Sequence, residues 1–115
     1  EKGVTRALCF FLGGVKDGSR LVEGPEEDAL PVTPLVGTLA GVHEIVGIGT
    51  VFPDEQGRPS LHAHASAGRD GAARTGCIRP GIETWRILEV IMLELGPEAG
   101  VRRTDPETGF SLLDV

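Results

Sequence analysis

Short apolar runs, separated by stretches rich in glycine, proline and acidic residues, set the rhythm of this chain. Val4 to Leu12 is mostly apolar and is bounded by Gly3 and by Gly13-Gly14, the pattern of a buried strand. Lys16-Asp17-Gly18-Ser19 carries an Asp-Gly turn, and Arg20 to Val22 supplies a short partner strand. In Gly24 to Pro31, Pro25 followed by Glu26, Glu27 and Asp28 has the form of a helix N-terminus. A helix that short is marginal in water, so the segment reads better as a solvated acidic loop. Val32 to Val42 is rich in β-branched residues, with Pro34 near its start where a strand tolerates it. Ile45 to Phe52 is another strand, and its two glycines mark a bulge or a close approach of another backbone. Pro53 to Pro59 is a polar turn, and Ser60 to Arg79 reads as a hairpin. Glu83 to Leu95 fits two descriptions. Its Leu, Glu, Met and Arg favour helix, while Ile87 to Leu95 fits a central strand buried on both faces. Val101 to Thr104 and Phe110 to Val115 form strands around an Asp105-Pro106-Glu107-Thr108-Gly109 turn. No repeat or linker divides the chain, so residues 1–115 are expected to form one domain.

Composition supports a strand-rich fold. The seventeen glycines and eight prolines make up about a fifth of the chain, against a usual ~12%, and they fall between the apolar runs. Aromatics are only 4%, so the core rests on Val, Ile, Leu and Ala. The net charge of −6 argues against phosphate contact as the dominant function. The two cysteines, Cys9 and Cys77, are too few for the disulfide framework of small secreted domains, which favours reduced thiols and a cytoplasmic setting. No apolar run reaches the ~18 residues that a membrane-spanning helix needs, and no membrane association is expected.

The hairpin concentrates the candidate chemistry. Asp70-Gly71 is a strong two-residue turn signal, because a type I′ turn needs positive φ at both positions. With those residues as the loop, Arg69 opposes Ala72, His64 opposes Cys77 and His62 opposes Arg79. Opposed residues share a face, and so do residues two apart along a strand. His62, His64, Cys77 and Arg79 then meet on one side, and a one-residue slip would send Cys77 to the other. Two imidazoles and a thiolate suit a borderline-soft divalent ion, zinc foremost, with a fourth position left for water or substrate. The plainer alternative is two ordinary hydrogen-bonding histidines beside a small buried cysteine.

Other residues invite weaker assignments. His43, beside Glu44, is an accessory ligand or, more simply, a turn residue. Glu89 sits in an apolar run, where a carboxylate needs a partner, and would support an imidazole if it pointed at the hairpin. Arg69, Arg74 and Arg79 form an anion-binding patch or, for the first two, solvated strand ends. Cys9, inside an apolar run, reads as core. Trp85 reads as core, interface or pocket wall. Gly57-Arg58-Pro59 matches the core of an AT-hook, but Asp54 and Glu55 lie where a hook needs basic flanks, so it reads as a turn.

Six stretches, taken in order, resemble the stand-alone prokaryotic form of the PPC (plants and prokaryotes conserved) domain. They are Leu12-Gly13-Gly14, Leu39-Ala40-Gly41-Val42-His43-Glu44, Pro59-Ser60-Leu61-His62-Ala63-His64-Ala65, Thr75-Gly76-Cys77-Ile78-Arg79, Leu88-Glu89-Val90-Ile91 and Asp105-Pro106-Glu107-Thr108-Gly109-Phe110. The resemblance implies an α/β (α+β) fold, a mainly antiparallel twisted sheet with few short helices, assembled as a homotrimer. It makes Glu83–Leu95 largely strand. It matches His62 and His64 to the paired histidines of metal-binding members. Many members place a third histidine after a Gly-Gly pair, where this chain has Thr75-Gly76-Cys77, and cysteine is itself a competent zinc ligand. The family usually opens with a helix ahead of the Lys2-Gly3-Val4 strand, and this chain is expected to lack it. Plant members join the domain to AT-hooks and act on DNA; the acidic charge and missing hook make direct DNA binding a disfavoured partner call here. The expected function is a trimeric, zinc-binding domain with a regulatory or ligand-binding, DNA-associated role. The alternative is a metal-dependent hydrolase or lyase acting on a small anionic substrate, with Arg79 holding the anion.

Overall fold

A computed structural model describes residues 3–115. It contains nine strands and, among the described residues, no helix. The few short helices implied by the resemblance are therefore absent from this part of the chain. Gly24 and Pro25 end a strand and Glu26 to Pro31 is a bent loop, while Glu83–Leu95 pairs along a neighbouring strand instead of coiling. The start at Glu1-Lys2, ahead of which the family's helix would sit, lies outside the described residues.

The strands are β1 (Ala7–Val15), β2 (Arg20–Pro25), β3 (Pro34–Thr38), β4 (His43–Pro53), β5 (Pro59–Arg69), β6 (Ala72–Ile78), β7 (Thr84–Glu94), β8 (Val101–Thr104) and β9 (Ser111–Asp114). The first seven form one sheet in the order β3-β2-β6-β5-β4-β1-β7, and β8 and β9 form a separate ribbon. Every pairing is antiparallel. Several strand boundaries differ from the sequence expectation; β2, for one, runs past Val22 to Pro25. β1 begins later than Val4 and runs on through Gly13-Gly14 to Val15, because β4 and β7 pair with those glycines from both sides. β3 stops at Thr38, and Leu39 tucks inward while its N–H donates to the Ser19 carbonyl.

Alternation along the strands divides the sheet into two faces. One face carries Cys9, Phe11, Ile45, Ala63, Ala65, Ala67 and Leu21, all buried. Val15 of β1 and Leu21 of β2 share one core cluster although three strands separate β1 from β2 in the sheet. The sheet therefore curls so that this face closes on itself. The small alanines of β5 and glycines of β4 allow the strands to bend inward with little steric cost. The outward face carries Phe10, Leu12, Val46 and Ile48, each more than a third exposed.

β7 is the largest departure from the local sequence reading. It is a strand, as the family resemblance implies, but an edge strand, paired only with β1. Ile87, Val90, Ile91, Met92 and Leu93 are exposed on both of its sides within the single chain. Local pattern cannot distinguish a central strand from an edge strand, because strand order is set by pairings far apart in the chain.

Candidate metal centre

The hairpin closes as its turn chemistry demands. Asp70 has φ 50° and Gly71 φ 78°, both in the left-handed region that a type I′ turn requires. Arg69 pairs with Ala72, and the ladder runs back to His64 opposite Cys77. β4 sets the same strand from the other side, with Ile48 opposite His64 and Thr50 opposite His62. Cys77 is held twice over, by His64 on β5 and by Val22 on β2. Gly76 makes that second pairing possible, since a Cβ there would lie 2.5 Å from the Val22 carbonyl oxygen.

This framework brings His62, His64 and Cys77 together on the outward face. One ligand-capable atom from each lies within 4.8 Å of the others, with both histidines exposed and the cysteine buried. The two imidazoles meet edge to face, 5.2 Å between centroids. A tetrahedral zinc ion holds nitrogen and sulfur donors about 3.3–3.6 Å apart. The cluster therefore needs a closure of about 1 Å, within the reach of side-chain rotation. The Cys77 thiol meanwhile rests against the Ile78 carbonyl oxygen, 3.7 Å away. Burial, then the positive charges of Arg102, His64 and Arg79, hold the His62 imidazole below its ordinary proton affinity. An unprotonated imidazole is the form that ligates a metal. The donor set and its spacing fit a divalent ion of zinc type.

The other candidate residues fall elsewhere. β5 and β6 part beyond His64–Cys77, so Arg79 is not the ladder partner of His62; it sits just past the end of β6, exposed, with its charge still acting on that imidazole. His43 lies at the far end of the hairpin, opposite Val15, with its Nδ1 3.0 Å from the Gly41 carbonyl oxygen. Ile48 lies five positions further along β4, roughly 17 Å away, so His43 cannot join the cluster. Glu89 pairs with Leu12 on β1 and lines an open cleft with Glu44 and Trp85, three strands from the hairpin's histidines. It gives no support to either imidazole. Arg74 pairs with Glu23, and Arg69 binds Asp70 and the Val42 carbonyl, so neither belongs to a patch at the histidines. Arg58 folds back on Asp54 as part of a turn. Cys9 is buried on the opposite face, where desolvation pushes its thiol pKa up, and both cysteines are free.

Arg102 escaped the sequence analysis. It is 4% exposed, and its guanidinium reaches the Thr50 hydroxyl at 2.9 Å and the Ser111 carbonyl at 3.3 Å. It lies over the Phe52 ring, 5.8 Å from its centroid. Through these contacts it fastens the β8–β9 ribbon to the outward face beside His62. The one available signal was the alternation of the Arg102-Arg103 pair, which turns one arginine inward while Arg103 reaches Asp114 at the surface.

The fold and site thus define a curled antiparallel sheet with a His/His/Cys cluster on its outer face. The sequence pattern of the Plants and Prokaryotes Conserved (PCC) domain matches residues 1–96, and the chain belongs to that family. Among solved structures, a plant- and prokaryote-conserved (PPC) protein from Pyrococcus horikoshii is 25% identical, with a TM-score of 0.81 over 99% of this chain and 76% of its own. A metal-containing protein from Archaeoglobus fulgidus is also 25% identical, with a TM-score of 0.80 over 99% of this chain and 77% of its own. A protein from Ralstonia eutropha, named as a candidate DNA-binding protein, shares the fold at 19% identity, with a TM-score of 0.74 over 97% of this chain and 74% of its own. No curated protein sequence matches the chain.

Proposed function

We propose that this chain is a metal-binding domain that holds one divalent ion, zinc, through His62, His64 and Cys77, and assembles as a homotrimer with a regulatory or ligand-binding role. The observation that carries the metal assignment is the convergence of the three donors within 4.8 Å on a doubly anchored hairpin. The metal content of the Archaeoglobus fulgidus relative supports it. Nitrogen and thiolate donors favour zinc over magnesium or calcium, which prefer oxygen. The apolar edge strand β7 and the exposed Phe10 and Ile48 beside it support assembly, since contiguous apolar surface of this kind is a usual mark of an interface. A thiolate ligand suits a reducing compartment, the cytoplasm. A DNA-associated role would then act through partners, because the acidic net charge works against direct phosphate contact.

A second reading, a metal-dependent hydrolase or lyase, is favoured by the three-ligand count. A zinc ion with one open position can polarise a substrate oxygen or lower the pKa of bound water. Metal analysis of untagged protein tests the first reading, with about one zinc per chain expected and His64→Ala expected to lose it. Protein that carries no metal, with a variant no different, would sink it. A fourth protein ligand closing the site would remove the enzymatic reading and leave the structural one.

A further inference from the structure

The charges around the cluster do not balance. Among the described ion pairs, each acidic partner is taken by Lys16, Arg58, Arg69, Arg74 or Arg103, and neither Arg79 nor Arg102 takes part. Arg102 is nearly fully buried, yet its two hydrogen-bond partners are a neutral hydroxyl and a neutral carbonyl, and its Nε has none. A buried guanidinium is ordinarily retained beside a counter-charge. Arg79 follows Cys77 by two residues, just past the end of β6. Thr50, which Arg102 grips, is the cross-strand partner of His62. Adding a divalent cation to one thiolate and two guanidinium groups leaves a local excess of about three positive charges, in a chain whose net charge is −6.

Resting on the metal centre proposed above, we propose that this site takes a small oxyanion, a phosphate or carboxylate group, bound between the metal's open position and Arg79, with Arg102 as the buried charge that selects for it. Arg79 is exposed at the end of β6 and makes the direct contact. Its planar fork matches an oxyanion's geometry. Arg102 lies beneath the surface and acts as a positioning residue through its field and its hold on Thr50.

Cobalt substitution tests this without an activity assay. Cobalt bound through a thiolate gives visible absorption bands, and inorganic phosphate and acetate are titrated separately into the loaded protein. Saturable band shifts with either anion are expected. Arg79→Ala is expected to weaken that anion's affinity about 10–100-fold while retaining one cobalt per chain. Arg102→Gln is expected to weaken it similarly and Arg102→Lys to restore most of it; if the glutamine variant fails to fold by circular dichroism, the lysine and Arg79 variants decide. One cobalt per chain with bands insensitive to both anions, or an Arg79→Ala protein that binds the anion as tightly as wild type, overturns the inference and leaves the metal centre standing. Failure of cobalt to bind removes both.

Discussion

Gly49 lies in β4 directly opposite Ala63, the residue between the two histidines. A Cβ at Gly49 would fall 2.6 Å from the Ala63 Cβ and 3.1 Å from the His62 carbonyl oxygen. The first contact is about 0.8 Å short of the 3.4 Å at which ordinary packing begins. Gly49→Ala must therefore push β5 away from β4 at the site, where the strands are normally ~4.8 Å apart. Overpacking of this kind costs about 1–3 kcal/mol. In a domain of this size that lowers the melting temperature by ~4–12 °C. Cys77 is also pinned to β2, so it cannot follow the displaced histidines fully. Metal sites tolerate ligand shifts of about 0.2 Å, so zinc affinity should drop on the order of tenfold or more. Gly68→Ala, on the same hairpin, is the control, because its nearest neighbours would be 3.8 and 4.0 Å away. That variant should be neutral or stabilised by about 0.4–1 kcal/mol. Thermal unfolding by circular dichroism and zinc competition against a chelator measure both effects. Equal stability of the two variants, or unchanged zinc affinity in Gly49→Ala, would refute the claim that β4 sets the position of the histidines.

Inserting one residue between Asp70 and Gly71 should shift the ladder and turn Cys77 to the inward face; retention of full zinc occupancy by elemental analysis would contradict the register argument. Ile91→Asp places a charge on the exposed apolar edge strand and should shift the proposed homotrimer toward monomer in light scattering, without lowering metal content; a wild-type mass equal to one chain, or an unchanged mass in the variant, would count against β7 as an interface. The Asp105 carboxyl is held below its ordinary pKa by the Thr108 hydroxyl and backbone N–H. Its contribution to the β8–β9 turn is thus present above the unfolded carboxylate value of about 3.9 and is lost as the pH falls below it toward the lowered folded value. The protection of the Phe110 and Gly109 amides, measured against intrinsic exchange at each pH, should fall across that window, and Asp105→Asn should remove the transition.

Much of the site was legible from sequence because its information is local. Asp70-Gly71 dictates a two-residue turn, and a two-residue turn dictates which residues oppose one another, so His64 against Cys77 followed from counting. The same counting overreached at Arg79, because it assumed that β6 stays with β5, whereas β6 leaves for β2 at the end of the hairpin. His43 and Glu89 belonged to the right kinds of residue but to distant rows of the sheet, and row membership depends on pairings between segments far apart in the chain. For the same reason Glu83–Leu95 was undecided locally: its apolar residues satisfy helix and strand alike until β1 supplies a ladder.

Turns, strand alternation and residue chemistry were therefore determined by sequence alone, since each rests on neighbours within a few positions. Tertiary structure decided the strand order, the curl that buries one face, and the placement of β7 at an open edge. It also decided the meeting of Arg102 with Thr50, the cross-strand partner of His62, which depends on the β8–β9 ribbon packing over β4. Contacts of that range carry no sequence period, because the packing that makes them is a property of the whole sheet.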